Sequence, residues 1–263
     1  MAIKATYIGK EFLRLCEQNT VLTVHSVFPH AINLMDKTGA LFSILSVKGD
    51  AMVANLLTSA QTVSGLVTVG QTIVLRSNGI MANGRLLIAI PDQLPIWTGE
   101  ISPKNEELNK KLVKRNVHWL LATLQEKGYN VDVLMNRAKE RGLPSLIGLG
   151  QGLTPSGDDF LCGYLALFTY IEKSFLASFP TLEEVRLSIQ EKLEDTTDIS
   201  QHFLSYAIGG LFGEATLDLL QALFFKEVPE LHLAFTRKAA YGASSGKDEI
   251  CGMLFGIIEY ISE

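Results

Sequence analysis

Gly148 to Ile171 reads GLGQGLTPSGDDFLCGYLALFTYI, a glycine-rich run that opens into an apolar stretch with no formal charge. Phe160–Ile171 is too short to span a bilayer and is predicted to be a helix buried on all sides. Ser156-Gly157-Asp158-Asp159 just before it has the composition of a helix start. Gly148, Gly150, Gly152 and Gly157 supply more backbone freedom than one helix cap needs, and Thr154-Pro155 stiffens the approach. No G-K-[ST] follows, and the preceding segment does not read as a strand, so the run is neither a P-loop nor a dinucleotide fingerprint. Gly148–Asp159 is the candidate site, suited to an anion held by main-chain N–H groups at a helix start.

The same pattern recurs. Ser156-Gly157-Asp158-Asp159-Phe160-Leu161-Cys162-Gly163-Tyr164-Leu165 and Ser245-Gly246-Lys247-Asp248-Glu249-Ile250-Cys251-Gly252-Met253-Leu254 share S-G-x-D-x-(L/I)-C-G-x-L. Glycine inside a helix costs roughly 1 kcal/mol relative to alanine. Its return at one offset predicts that the two helices cross near Gly163 and Gly252. Two readings follow: a pair of capped helices with a tight crossing, or two helix starts converging on one pocket for phosphate or carboxylate. Asp158 and Asp159 likewise have two roles open, capping N–H groups or carrying chemistry, including a Mg²⁺ site of one or two carboxylates.

Around this centre the chain is predominantly helical. Expected helices are Asn105–Lys127, Asp132–Glu140, Gly157–Phe175, Thr181–Leu193, Ile199–Ile208, Glu214–Phe225, Glu230–Ala240 and Lys247–Ile261. Thr196-Thr197-Asp198-Ile199-Ser200 is a further helix start whose hydroxyls face either the helix or the pocket. Before Pro91–Pro103, read as a linker, the pattern is β. Expected strands are Val21–Val27, Ala31–Met35, Ala40–Val47, Val67–Val69, Thr72–Leu75 and Leu86–Ile90, with a hairpin turn at Asp36–Gly39 and helix only near Ile8–Glu17 and Asp50–Gln61. The fold class is therefore α+β: a small β-barrel or sandwich domain over 1–100, then an all-α domain over 104–263 that carries the glycine loop.

Composition limits the partners. With 263 residues, 47% apolar and 19% charged, the chain can bury a large core. Its net charge of -5, with no basic run, argues against nucleic acid or an anionic membrane. Cys16, Cys162 and Cys251 form no metal or disulfide spacing, and Met1–Phe12 lacks the apolar core of a secretory signal, so a cytoplasmic location is expected. The five histidines form no H-x-x-x-H pair, and no Ser-His-Asp or Cys-His order is evident.

Taken together, the motif at 148–159 resembles the hallmark of the family of the smallest subunit of anaerobic oxamate carbamoyltransferase, from allantoin degradation in purine catabolism. Ala31–Met35 with its hairpin, Thr197-x-x-Ser200, and Gly242-Ala243-Ser244-Ser245-Gly246-Lys247-Asp248 are similar to further family motifs in the same order. The resemblance implies a subunit of a transferase that converts oxalurate and phosphate to oxamate and carbamoyl phosphate beside two larger subunits. Motif matching and the anion argument give Asp158 and Asp159 as catalytic and as the Mg²⁺ ligands. They give Gly148, Gly150, Gly152, Thr154, Ser156, Gly157, Ser244, Ser245, Gly246, Lys247 and Asp248 as the site for a small anionic substrate. A non-catalytic metabolite-binding or assembly subunit is the alternative.

Overall fold

A computed structural model describes residues 3–47, 50–102, 107–175, 177 and 179–262. The chain divides into two compact units, Met1–Gly99 and Glu100–Glu263.

The first unit is a closed β-barrel. Its strands are β1 (Ile3–Gly9), β2 (Val21–Val27), β3 (Ala31–Met35), β4 (Leu41–Leu45), β5 (Asn55–Thr58), β6 (Thr72–Arg76), β7 (Gly79–Ala82), β8 (Arg85–Ala89) and β9 (Ile96–Trp97), with helix α1 (Lys10–Glu17) after β1. The order β5-β4-β3-β2-β6-β7-β8-β1 is closed by antiparallel pairing of β1 with β5, and β9 adds to β1 in parallel. Closure leaves these eight strands without a free edge. The β3–β4 hairpin turns where the sequence places it: Asp36 Oδ1 accepts from Thr38 N–H and Ala40 N–H at 2.8 and 2.9 Å. Asn83 and Gly84, both at positive φ, form the two-residue turn between β7 and β8.

Two expectations fail here. Asp50–Gln61 is not a helix: Asn55 Nδ2 donates to Asp50 O, Met52 N–H donates to Asn55 Oδ1, and the chain then enters β5. The fully buried Leu56 lies in β5, whose two ladders to β4 and β1 outweigh local helix propensity. Val67–Val69 is a turn rather than a strand, held by Gln71 N–H donating to Thr68 O and Gly70 N–H to Val24 O. Strands β1, β5, β7 and β9 were not anticipated.

The second unit is helical: α2 (Lys110–Glu126), α3 (Asp132–Arg141), α4 (Ser156–Phe175), α5 (Pro180–Gln190), α6 (Asp198–Ile208), α7 (Glu214–Phe225), α8 (Val228–Ala239) and α9 (Ser245–Ser262), with 3-10 turns at Leu143–Leu146 and Leu193–Asp195. The expected start of the first helix at Asn105 and the linker's Pro103 lie outside the described residues; α2 is capped by Asn109, which accepts from Leu112 N–H. α5 begins one residue before Thr181, with Pro180 in its first turn and no side-chain cap. α4 is the axis of the core, with Phe160, Leu161, Leu165, Ala166, Leu167 and Ile171 fully buried. No described helix is long and apolar enough to cross a membrane.

α4 and α9 pack backbone to backbone. A Cβ placed on Gly163 would lie 1.9 Å from Glu249 O, and one on Gly252 would lie 1.9 Å from Phe160 O. The helices run side by side in the same direction, since Thr154 meets Ser245 at one end and Gly256 meets Leu167 and Phe168 further along. The crossing expected from the repeated glycine is therefore present. It is also internally symmetric, because Gly163 and Phe160 occupy the positions of Gly252 and Glu249 in the repeat.

Candidate functional site

The glycine loop is shaped by its own fold. Gly148, Gly150 and Gly152 all take positive φ, a region that side chains disfavour. Space is also short at Gly148, where a Cβ would fall 2.5 Å from Asp195 O. The loop is pinned from below by Asp158. Its Oδ1 accepts from Gly148 N–H at 2.8 Å and its Oδ2 from the Thr196 hydroxyl at 2.5 Å. The Thr197 hydroxyl donates to Leu153 O while also capping α6 by accepting from Ser200 N–H. The hydroxyls of the 196–197 turn thus serve the helix start and anchor the glycine loop.

The helix starts do converge. Thr154 and Ser245 share a hydrogen bond of 2.9 Å between hydroxyls, and the Ser245 hydroxyl also bonds to Asp159. The expectation of open N–H groups there needs correction. Gly157 N–H donates to Leu149 O, and Asp158 and Asp159 N–H to Pro155 O. Gly246 N–H donates to Tyr241 O, and Lys247 and Asp248 N–H to Ser244 O. Both helices use their first-turn donors on their own preceding loops, so these six groups do not aim at a ligand.

Carboxylates dominate what remains. Asp159 is 8% exposed and Asp248 2%. Burial, first of all, pushes the Asp159 carboxyl up to about 8; the Ser245 hydroxyl opposes this, nearby Glu249 and Asp248 add to it, and Lys238 opposes it. Asp248 Oδ1 accepts from the Tyr129 hydroxyl, whose own ionisation is driven upward by burial and by that bond. The Oδ2 atoms of both aspartates are buried and have no hydrogen-bond donor. Beside them Lys238, 3% exposed, donates from Nζ to Glu249 Oε2 at 2.5 Å and to Thr216 Oγ1 at 2.9 Å, and the Thr216 hydroxyl donates to Glu249 Oε1.

Of the residues singled out from sequence, the structure brings Thr154, Asp159, Ser245 and Asp248 into one group, with Gly148 and Asp158 anchoring the loop next to it. Lys247 is partly exposed, its Nζ 3.5 Å from Ala243 O. Asp158 has both oxygens engaged, which leaves Asp159 Oδ2 as the oxygen of the two that a cation would use. Among the described residues no group of three or more His, Cys, Asp or Glu is placed to hold a metal ion. Tyr129, Thr216, Lys238 and Glu249 escaped the sequence reading. One signal was available: the repeat has a core phenylalanine, Phe160, where its second copy has Glu249, and a charge at a core position requires a partner. Cys162 and Cys251 sit one turn inside the helices, and burial raises both thiols, Cys251 to about 12.

An eight-stranded barrel unit and a helical unit built on two repeated helix starts define a two-unit α+β protein with a buried acidic centre. Residues 146–257 match the oxamate carbamoyltransferase subunit AllH, and residues 4–94 match the AllH family N-terminal domain. The two matches cover most of the chain, which belongs to the AllH family. Comparison with curated proteins and with solved structures gave no match.

Proposed function

We propose that this chain is a working subunit of an oxamate carbamoyltransferase, acting in the cytoplasm with two larger subunits, and that its substrate site lies between the Gly148–Asp159 loop and the start of α9. The observation that carries this reading is the family match over 146–257, a span that contains both repeated helix starts. In the reaction, oxalurate and phosphate give oxamate and carbamoyl phosphate. The bond from the carbamoyl carbon to the oxamate nitrogen breaks, a bond from that carbon to a phosphate oxygen forms, and the phosphate proton ends on the departing nitrogen.

Two features support a part in that chemistry. Asp159, its carboxyl raised to about 8, exchanges a proton near neutral pH and is hydrogen-bonded to the half-buried Ser245 hydroxyl, a suitable carrier for the transferred proton. The loop that ends at Thr154 and the hydroxyls of Ser156, Ser244 and Ser245, with Lys247 nearby, suit the negative ends of the substrates. Asp158 acts by holding Gly148 and Thr196 in place.

The test is reconstitution of the chain with its partner subunits and assay of oxamate release from oxalurate and phosphate. Asp159→Asn should lower the rate at least about tenfold with assembly intact, since asparagine keeps the shape of the side chain and an oxygen for the Ser245 hydroxyl but cannot exchange the proton. The second reading, an assembly or metabolite-binding subunit, rests on the closed state of the two Oδ2 atoms. It predicts full turnover by the Asp159→Asn complex.

A further inference from the structure

Two carboxylate oxygens without donors, at matching positions of a repeat, call for a physical account. Asp159 and Asp248 are the corresponding aspartates of the α4 and α9 starts, and each is more than nine-tenths buried. Each has one link to a hydroxyl, Ser245 for Asp159 and Tyr129 for Asp248, and in each the Oδ2 atom accepts nothing. A buried acceptor without a donor costs on the order of 1–3 kcal/mol, and more when charged. A fold that retains two of them, with Asp248 near enough for its charge to act on Asp159, has a use for them.

The surroundings say what kind of group belongs there. Asp158 and Glu249 add negative charge, the Lys238 ammonium is taken up by Glu249 and Thr216, and the first-turn N–H groups of both helices bond to their own loops. An anion is repelled by this centre; a hydrogen-bond donor is drawn to it. We propose that Asp159 and Asp248 form a subsite for the –NH₂ of a carbamoyl or primary amide group, reached when the Thr154–Ser245 hydroxyl contact parts. A planar –NH₂ has two N–H donors and meets one accepting oxygen of each aspartate at once. The choice of a neutral amide rests on the carbamoyltransferase reading, in which oxalurate, oxamate and carbamoyl phosphate all carry a –C(=O)NH₂ group. The negative ends of those molecules then fall to the loop and Lys247 side. The way in is at this contact: Thr154 ends a loop that has three glycines at positive φ, and its hydroxyl bonds to the Ser245 hydroxyl that bonds to Asp159.

Isothermal titration of the full chain, alone and with its partner subunits, tests this with oxamate and oxalate, which differ by –NH₂ against –O⁻. The wild type should bind oxamate at least about tenfold more tightly than oxalate, the scale of hydrogen bonds to charged groups. Asp159→Ala and Asp248→Ala, which remove the accepting oxygens, should abolish that preference. The wild-type preference is read without any variant, so misfolding of a variant does not mask the answer. Equal binding of oxamate and oxalate overturns the subsite while leaving the carbamoyltransferase reading in place. Binding of N-methylurea without oxamate, lost in both variants, upholds the subsite and overturns that reading. Failure of every N–H ligand to bind the chain and the complex overturns the subsite.

Discussion

Replacing Gly163 with alanine puts one methyl group where the structure has none to spare. The new Cβ would fall 1.9 Å from Glu249 O, 2.7 Å from its carbonyl carbon and 3.1 Å from its Cα, all main-chain atoms with no rotamer to escape into. Ordinary contact at about 3.4 Å or more requires α4 and α9 to part by roughly 1.5 Å. A gap of 0.5–1 Å already forfeits about a quarter to a half of the attraction across a packed surface. Overpacking costs typically about 1–3 kcal/mol, and a backbone collision between two buried helices belongs at the upper end. Alanine returns roughly 1 kcal/mol of helix propensity, which does not offset this. We expect a net loss of about 2–3 kcal/mol for Gly163→Ala, and the same for Gly252→Ala, which meets Phe160 O at the equivalent point. The double variant should lose clearly less than the sum, because helices already parted for one methyl admit the second. Urea unfolding followed by far-UV circular dichroism gives these values, with Gly65→Ala as the control, since a Cβ there meets nothing within 4 Å. A loss below about 1 kcal/mol for either single variant, or strict additivity in the double, refutes the reasoning.

Two further predictions concern the buried charges. The Asp159 carboxyl titrates at about 8 in the folded chain and near 3.8 when unfolded, so the folded state holds the extra proton between those values. Its contribution to stability is complete below about pH 4, is lost as pH rises towards 8, and is constant above; Asp159→Asn should therefore gain on wild type by several kcal/mol, at about 1.4 per pH unit, over that window. Parallel urea-unfolding curves at pH 5 and pH 8 for the two proteins contradict this. Lys238→Met should cost about 3–5 kcal/mol by stranding Glu249, and adding Glu249→Leu should restore most of it; a double variant no more stable than the single excludes the ion-pair account.

Helices α3, α4, α6, α7, α8 and α9 were legible because each has an apolar face at helical spacing between clear start and stop signals. The barrel was less so. β5 has four residues and reads as helix in isolation, since its strand state depends on pairing with β1 at the start of the chain and on a parallel ladder with β4. β7 is hidden between Asn78-Gly79 and Asn83-Gly84, two turn signals so close that the strand itself resembles loop. In the site, a local motif exposed what is local: the glycine loop, the serine and aspartate pairs and the 196–197 turn. It could not show Lys238 or Tyr129, which reach the centre from other helices or turns. Nor could it show that the helix-start donors are already engaged, because that depends on how each loop folds back on its own helix.

The repeat explains why the centre is acidic. Two helices that begin alike and cross at glycine bring their starts together, and each start alone favours negative charge. The chain meets that preference with its own aspartates, Asp158, Asp159 and Asp248, so the positive ends of the helices are answered from within. At two of the positions where the copies differ, they differ by charge: Asp158 against Lys247, and Phe160 against Glu249. The first copy uses Asp158 to hold the loop, while the second uses Glu249 to bring the Lys238 ammonium next to Asp159. Burial sets the Asp159 carboxyl high; the Ser245 hydroxyl is the larger of the two effects that oppose it, and the smaller pull of Lys238 is outweighed by the charge of Glu249. The symmetric part of the repeat thus brings the two helix starts together, and Asp158, where the copies depart from symmetry, fixes the loop beside them.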